Sequence, residues 1–357
     1  MKILKLPKYA QIFGSLARAR FTGKPVPFML EYQITQVCNL KCKYCYAELE
    51  TLHSEKDPTL QEIKDNIDEF HSMGTRVLRL LGGEPLMRND IGDILEHCRK
   101  LGLFVEMSTN ATMIHKRIDA LKLVDILQIS IDGDRGATDN ARGRGLYNRI
   151  IKGVENALGH GLPVRLHGVY NSFSMAGAQE SPVKHLAELG KKYGVPFNFC
   201  PFVADFSGEK RGAYVSLGNL MKYHQECIDL KAQGYPYFNS DAALHQLVNW
   251  PDLSKDFYME SERHLLPKNC KRCLGGEMYC FLDSDGSLYP CVPLWKRGLN
   301  INEVGIQSAW EYLQDVRKEA RCWTCASLGD IEFSRTLSLD VPSMVNTLKK
   351  VLMLGGQ

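Results

Sequence analysis

The 357-residue sequence contains no run of 18 apolar residues, so no transmembrane helix is expected. Lys2, Lys5 and Lys8 stand near the N-terminus with no continuous apolar stretch behind them, which argues against a secretory signal. No low-complexity segment and no internal repeat stands out. An excess of one charge is also lacking: 44 Lys+Arg against 41 Asp+Glu leave +3. Nucleic-acid binders usually concentrate a basic face, so no nucleic-acid partner is expected. With 44% apolar and 24% charged residues, global disorder is excluded. The length suits one large α/β domain with an appendage. What is abundant is cysteine, at twelve residues. Without a secretory signal these are expected as reduced cytoplasmic thiols, and their clustering points to metal rather than disulfides.

The chain reads as four segments. Residues 1–28 form a basic amphipathic arm, with Ile3, Leu4, Leu6, Ile12, Phe13 and Leu16 interleaved with lysines and arginines. From residue 29 short apolar runs alternate with helical patterns, giving strands over 29–34, 77–81, 104–109, 126–131, 164–169 and 197–203. Six such βα units over 29–233 imply a parallel sheet with right-handed crossovers, an α/β fold of partial (β/α)6 TIM-type barrel form. Residues 234–335 hold six more cysteines and a hairpin, Tyr279 to Pro290, turning at Asp285-Gly286; they read as a small cysteine-rich domain. Residues 336–357 carry helical apolar spacing.

Cys38, Cys42 and Cys45 follow the first strand in C-x3-C-x2-C spacing. In parallel α/β proteins the C-terminal strand ends carry the chemistry. Three thiolates in one loop can hold three irons of a cubane, leaving a fourth iron open to a small molecule. A structural zinc site, the competing reading, uses four protein ligands and C-x2-C pairs. These cysteines, with Tyr44 before the last, resemble the signature of the radical S-adenosylmethionine (SAM) superfamily. Gly82-Gly83-Glu84-Pro85 after the second strand resembles that family's GGE motif, and Ser130-Ile131-Asp132-Gly133 its S-[IL]-D-G segment. Asp139-Asn140-Ala141-Arg142-Gly143 resembles its H-D-x-x-R-G stretch, with Thr138 where the motif has histidine. The resemblance implies a SAM-binding [4Fe-4S] cluster on Cys38, Cys42 and Cys45. It places Glu84, with Gly82 and Gly83, at the methionine amino group, Ser130 at the ribose or carboxylate, and Arg142 facing the carboxylate. Tyr44, Asn110 and Asp132 complete the expected SAM pocket. Read as residues alone, GGEP is a turn, and Asn110 and Asp132 are loop caps.

Cys273, Gly286 and Cys291, followed by Cys322-x2-Cys325, resemble part of the family's auxiliary-cluster appendage, called SPASM or twitch. No cysteine follows Cys325, which implies one auxiliary [4Fe-4S] cluster on Cys273, Cys291, Cys322 and Cys325. Cys270 and Cys280 are surplus, and either can stand in for Cys273. A zinc ribbon remains the alternative, since two C-x2-C pairs are what zinc uses. Cys98, Cys200 and Cys227 read as small core residues.

The resemblance implies reductive cleavage of SAM to a 5′-deoxyadenosyl radical, which abstracts hydrogen from an unactivated C–H bond. Its auxiliary cluster assists oxidation or C–C or C–S bond formation, and an electron donor such as flavodoxin or ferredoxin is a further expected partner. The substrate is expected to be a peptide or other natural-product-type molecule, although 28 residues are too few for a leader-binding domain before the barrel. The alternative is a lipid or isoprenoid, motivated by two amphipathic termini suited to peripheral membrane contact. Against this, both termini can simply pack on the barrel. A non-catalytic iron–sulfur electron carrier is the third reading; such a carrier needs no open iron.

Overall fold

The computed structural model of the chain describes residues 6–45, 57–203 and 213–354. Helix α1 (Leu6–Thr22) precedes six parallel strands: β1 (Met29–Gln33), β2 (Val77–Leu81), β3 (Phe104–Thr109), β4 (Ile126–Ser130), β5 (Val164–Tyr170) and β6 (Phe197–Pro201). Among them run α2 (Leu60–Met73), α3 (Ile91–Lys100), α4 (Ile118–Leu121), α5 (Arg135–Arg142), α6 (Leu146–Gly159), α7 (Ser172–Gly177) and α8 (Pro182–Tyr193), with α9 (Leu217–Ala232) after the last strand. The strands are ordered consecutively from β1 to β6, as right-handed βα repeats demand. This is the expected α/β partial barrel. Local signals set its helices: Thr59 caps α2 reciprocally with Glu62, and Ile63, Ile67 and Phe70 bury one face at i, i+4, i+7 spacing. Each such side chain contributes about 1.5–3 kcal/mol on burial.

The barrel interior is polar. Arg79 Nε meets Glu106 at 3.0 Å, Arg165 Nη2 meets the same Glu106 oxygen at 2.6 Å, and Arg79 also pairs with Glu31. Period-2 alternation sends these residues inward from β1, β2, β3 and β5. Their opposite charges satisfy one another where water is scarce.

The C-terminal part comprises α10 (Asp241–Val248), β7 (Phe257–Met259), β8 (Tyr279–Leu282), β9 (Ser287–Tyr289), β10 (Leu299–Asn300), α11 (Ile301–Val304), α12 (Ile306–Ala320), β11 (Cys322–Cys325), α13 (Leu328–Leu337) and α14 (Val341–Leu354). The expected hairpin is β8–β9, and Gly286 adopts φ +88° at its turn. The hairpin joins the barrel sheet: β8 pairs parallel with the free edge of β1, giving one nine-stranded sheet. An unpaired edge is a template for a further strand, and here the chain itself supplies it.

Helix α1 packs on the strand starts rather than on the rim that carries the cysteine loop. Tyr9 and Leu16 are buried, Tyr9 beside Phe104, and Lys8 pairs with Asp125 at 2.6 Å. Helix α14 shares a cluster with Tyr9 through Val351 and Leu354 but leaves Val341, Val345, Leu348 and Leu352 exposed. Among the described residues no helix is long and apolar enough to cross a membrane.

Candidate active site

The loop after β1 carries Cys38, Cys42 and Cys45 close enough together to influence one another electrostatically. Burial pushes the Cys38 thiol up to about 12, with Glu84 and the other two cysteines adding to the rise. Burial likewise raises Cys42, opposed by Arg142. Buried, mutually repelling thiols resist ionisation alone and are suited to a cationic partner that draws off their protons.

The GGE turn braces this loop. Gly83 N donates to Thr35 O at 2.7 Å and Glu84 N to Val37 O at 2.8 Å. A Cβ on Gly83 would lie 2.5 Å from the Val37 carbonyl carbon and 2.8 Å from Gln36 O; on Gly82 it would lie 2.9 Å from Thr35 O. Both positions are therefore glycine because two backbones meet there. The Glu84 carboxylate accepts from Leu86 N (3.1 Å), Thr109 Oγ1 (2.7 Å) and Asn110 N (2.7 Å). That uses three of roughly four acceptor sites and leaves one for a cationic group. Burial pushes this carboxyl up to about 7, with the three bonds opposing the rise.

Asn110 binds sideways. Its Nδ2 donates to Asn39 Oδ1 at 2.8 Å and its Oδ1 accepts from Thr112 N at 3.0 Å, tying the end of β3 to the cysteine loop. Asp132, fully buried after β4, accepts from Tyr44 (2.7 Å), Arg142 Nε (2.7 Å) and Val169 N (3.1 Å). Arg142 also donates to the Tyr44 hydroxyl. So Tyr44, Asp132 and Arg142 form one buried network that joins the cysteine loop to α5 and β5. Two of the Arg142 nitrogens are thus engaged within the protein. Thr138, in place of the motif histidine, donates to Gly133 O (3.0 Å) and accepts from Asp132 N (3.3 Å), pinning the turn. Ser130 ends β4 half-buried, opposite His167 of β5.

The second thiol group is assembled from three segments. Cys273, Cys291, Cys322 and Cys325 all line one small cavity. Regular strand alternation would point Cys322 and Cys325 to opposite faces, but the pairing of β11 with β7 shifts register between Cys322 and Thr324. The irregularity brings both to the cavity. Cys273 N donates to Trp323 O at 2.8 Å, and Gly275 N to Cys273 Sγ at 3.4 Å. The Tyr279 hydroxyl lies 3.2 Å from Cys273 Sγ and donates to Asp330 at 2.8 Å. Burial drives the Cys291 and Cys325 thiols well up, with Asp330 and neighbouring cysteines contributing. Cys280 is fully buried with its thiol near Glu31, and Cys270 lines a different hollow with Trp323. Neither surplus cysteine is placed to replace Cys273.

Among the described residues neither set of thiols forms a group that can hold a single metal ion. Three thiols in one loop and four around one cavity suit iron–sulfur clusters, which are held by cysteine thiolates. Cys98 and Cys227 are fully buried core residues, as expected; Cys200 instead faces the polar barrel interior near Arg165 and keeps some accessible surface. An inward position on β6 overrides the thiol's preference for an apolar core. Tyr279 and Asp330 were not legible as site residues, because the fold brings them to the four C-terminal cysteines, and Asn39, next to Cys38 in the chain, shows its role only through its bond to Asn110.

A parallel α/β half-barrel with a three-thiol loop after its first strand and an acid turn after its second defines an iron–sulfur barrel enzyme. The family model described as the Radical SAM superfamily matches residues 32–190, from β1 into α8. Proteins of that family bind a [4Fe-4S] cluster and SAM. The chain is 26% identical over 299 residues to an AdoMet-dependent heme synthase of Methanosarcina barkeri, covering 82% of this chain and 84% of that protein. It is 24% identical over 330 residues to the mycofactocin maturase MftC of Mycolicibacterium smegmatis, covering 88% and 78%. Its fold is similar to that of SuiB of Streptococcus suis bound to the precursor peptide SuiA, with TM-score 0.63, 17% identity, and 87% and 72% coverage. SuiB is a SPASM/twitch radical SAM enzyme, and this chain likewise has a cysteine-rich C-terminal part.

Proposed function

We propose that the chain oxidises or cross-links a peptide-type substrate by hydrogen abstraction, with an auxiliary [4Fe-4S] cluster held by Cys273, Cys291, Cys322 and Cys325. The observation that carries this reading is the convergence of those four cysteines on one cavity beside the barrel. When bound, the cluster and SAM supply a 5′-deoxyadenosyl radical, and a second cluster supplies a one-electron acceptor. The protein's own part is to bind, orient and exclude water. Cys38, Cys42 and Cys45 hold the first cluster. Glu84 anchors the SAM amino group through its remaining acceptor site, and Ser130 meets the ribose or carboxylate. Gly82 and Gly83 hold the Glu84 turn against the cysteine loop. Asp132, Tyr44 and Asn110 fix that loop relative to β3, β4 and β5. Arg142 contributes positive charge beside Cys42 and toward the SAM carboxylate. Peptide substrates are favoured by the likeness to a maturase and to a structure holding a precursor peptide. A small electron carrier such as flavodoxin or ferredoxin is the proposed donor.

The test is SAM cleavage by the reduced, anaerobically reconstituted protein. Cys42→Ala should abolish 5′-deoxyadenosine formation, whereas Cys325→Ala should leave it intact and lose half the iron. Equal iron in wild type and Cys325→Ala would remove the auxiliary cluster from the account. A second reading, a lipid or isoprenoid substrate, is favoured by the exposed apolar stripe on α14. Co-sedimentation with anionic liposomes tests it; a Val345→Lys/Leu352→Lys variant pelleting as well as wild type would set it aside.

A further inference from the structure

A cavity of about 260 Å³ lies beyond the C-terminal ends of β5 and β6, and neither thiol site uses it. Its walls include Tyr170, Phe202, Leu220, Leu247 and Trp250, with His224 of α9 among them. Its lining adjoins segments of both centres along the chain. Tyr170 and Pro201 end strands on the rim that carries Glu84 and Asp132, and Ala326, also on the lining, follows Cys325.

The walls are aromatic and aliphatic, and their polar groups are largely occupied within the fold. The Tyr170 hydroxyl donates to Asn219 O at 3.3 Å and Trp250 Nε1 to Lys255 O at 2.7 Å. The Tyr214 hydroxyl donates to Asp256, and Lys255 pairs with Glu262. His224 differs. It is 6% exposed, and its Nε2 is buried with no hydrogen-bond partner among the described residues. Apolar burial pushes this imidazole down to about 4, so the ring is neutral at physiological pH and offers one donor and one acceptor. A buried polar group without a partner costs stability unless a ligand or water completes it.

We propose that this cavity is a recognition pocket for an aromatic ring bearing a hydroxyl or ring N–H, the phenol or indole class, with His224 as its hydrogen-bonding partner. The volume suits one ring system. Tyr170, stacked on Tyr223 at 4.5 Å, and Phe202, edge-on to Tyr214 at 5.4 Å, present the faces and edges that aromatic groups pack against. An aliphatic chain would leave His224 unsatisfied. The inference rests on the peptide reading above, in that the ring is taken to belong to a substrate side chain held between the two centres.

The test is equilibrium dialysis of p-cresol and toluene, two rings differing by one hydroxyl, against the full-length reconstituted protein with SAM. The expected result is saturable binding, with p-cresol about three- to ten-fold tighter, the worth of one neutral hydrogen bond. His224→Phe should abolish or reverse the preference for p-cresol, whose hydroxyl then has no partner, and Leu220→Trp should exclude both by filling the cavity. Equal affinities in the wild type, or no saturable binding of either ring, would overturn the proposal without reliance on any variant. A protein that cleaves SAM but fails this comparison loses only the pocket. One that passes it but forms no 5′-deoxyadenosine loses the radical reading instead.

Discussion

Replacing Gly83 by alanine puts the brace between the GGE turn and the cysteine loop under direct test. The added Cβ would stand 2.5 Å from the Val37 carbonyl carbon and 2.8 Å from Gln36 O, with Val37 O nearer still. Carbon atoms ordinarily rest about 3.5–4.0 Å apart, so one backbone must retreat by about 1 Å. The retreat stretches two bonds, Gly83 N to Thr35 O and Glu84 N to Val37 O, now 2.7 and 2.8 Å. Losing both costs about 1–3 kcal/mol, and overpacking adds about as much. Cys38 follows Val37 directly, so the displacement reaches the first thiol. The expected outcome is a folded protein, shown by an unchanged far-ultraviolet circular dichroism spectrum, with lowered iron occupancy of the SAM-binding site. Its reduced cluster's electron paramagnetic resonance signal should respond weakly to added SAM. Wild-type iron content together with wild-type SAM cleavage in Gly83→Ala would refute the claim that the glycine is there for close approach.

Three further outcomes follow from the geometry. Asp132→Ala leaves Arg142 buried without its partner and should cost about 3–5 kcal/mol in urea unfolding; a loss under 1 kcal/mol would mean the network is replaceable. Tyr279→Phe removes the hydroxyl that lies 3.2 Å from Cys273 Sγ and donates to Asp330, so a redox titration should find the potential of the auxiliary cluster shifted, with the SAM-binding cluster unmoved. An unchanged auxiliary potential would show that the contact does not act on the sulfur. For His224 the folded pKa is depressed, so its contribution to stability is complete above about 6.5 and lost as pH falls toward about 4. The wild type should therefore lose about 3 kcal/mol more than His224→Phe between those values, and parallel pH profiles would contradict the burial argument.

The barrel was legible because its signals are local. Apolar runs at 77–81 and 104–109 became β2 and β3 without adjustment, since period, flanking turn residues and βα spacing all agree. The cysteine loop and Glu84 were legible because one chain segment carries each motif. Other features were not legible, for one physical reason. The parallel pairing of β8 with β1, the Arg79–Glu106–Arg165 network and the bond from Tyr279 to Asp330 join residues far apart in sequence. Cys200 shows the same limit, since its thiol suggested core and its strand register made it a wall of the interior. Asp132 and Asn110 were open between ligand contact and local cap. The structure gives both firm protein partners, so any contact with SAM is additional to that work.

The central claim is that two separate thiol sets hold two clusters, one of them the site of SAM cleavage. Iron and acid-labile sulfide per chain, measured after anaerobic reconstitution, test it most directly. About eight irons are expected in the wild type, and about four in both the Cys38/Cys42/Cys45→Ala and the Cys273/Cys291/Cys322/Cys325→Ala proteins. Only the second of these variants should still form 5′-deoxyadenosine from SAM. A wild type holding about four irons, all lost with Cys38, Cys42 and Cys45, would contradict the account at its second site.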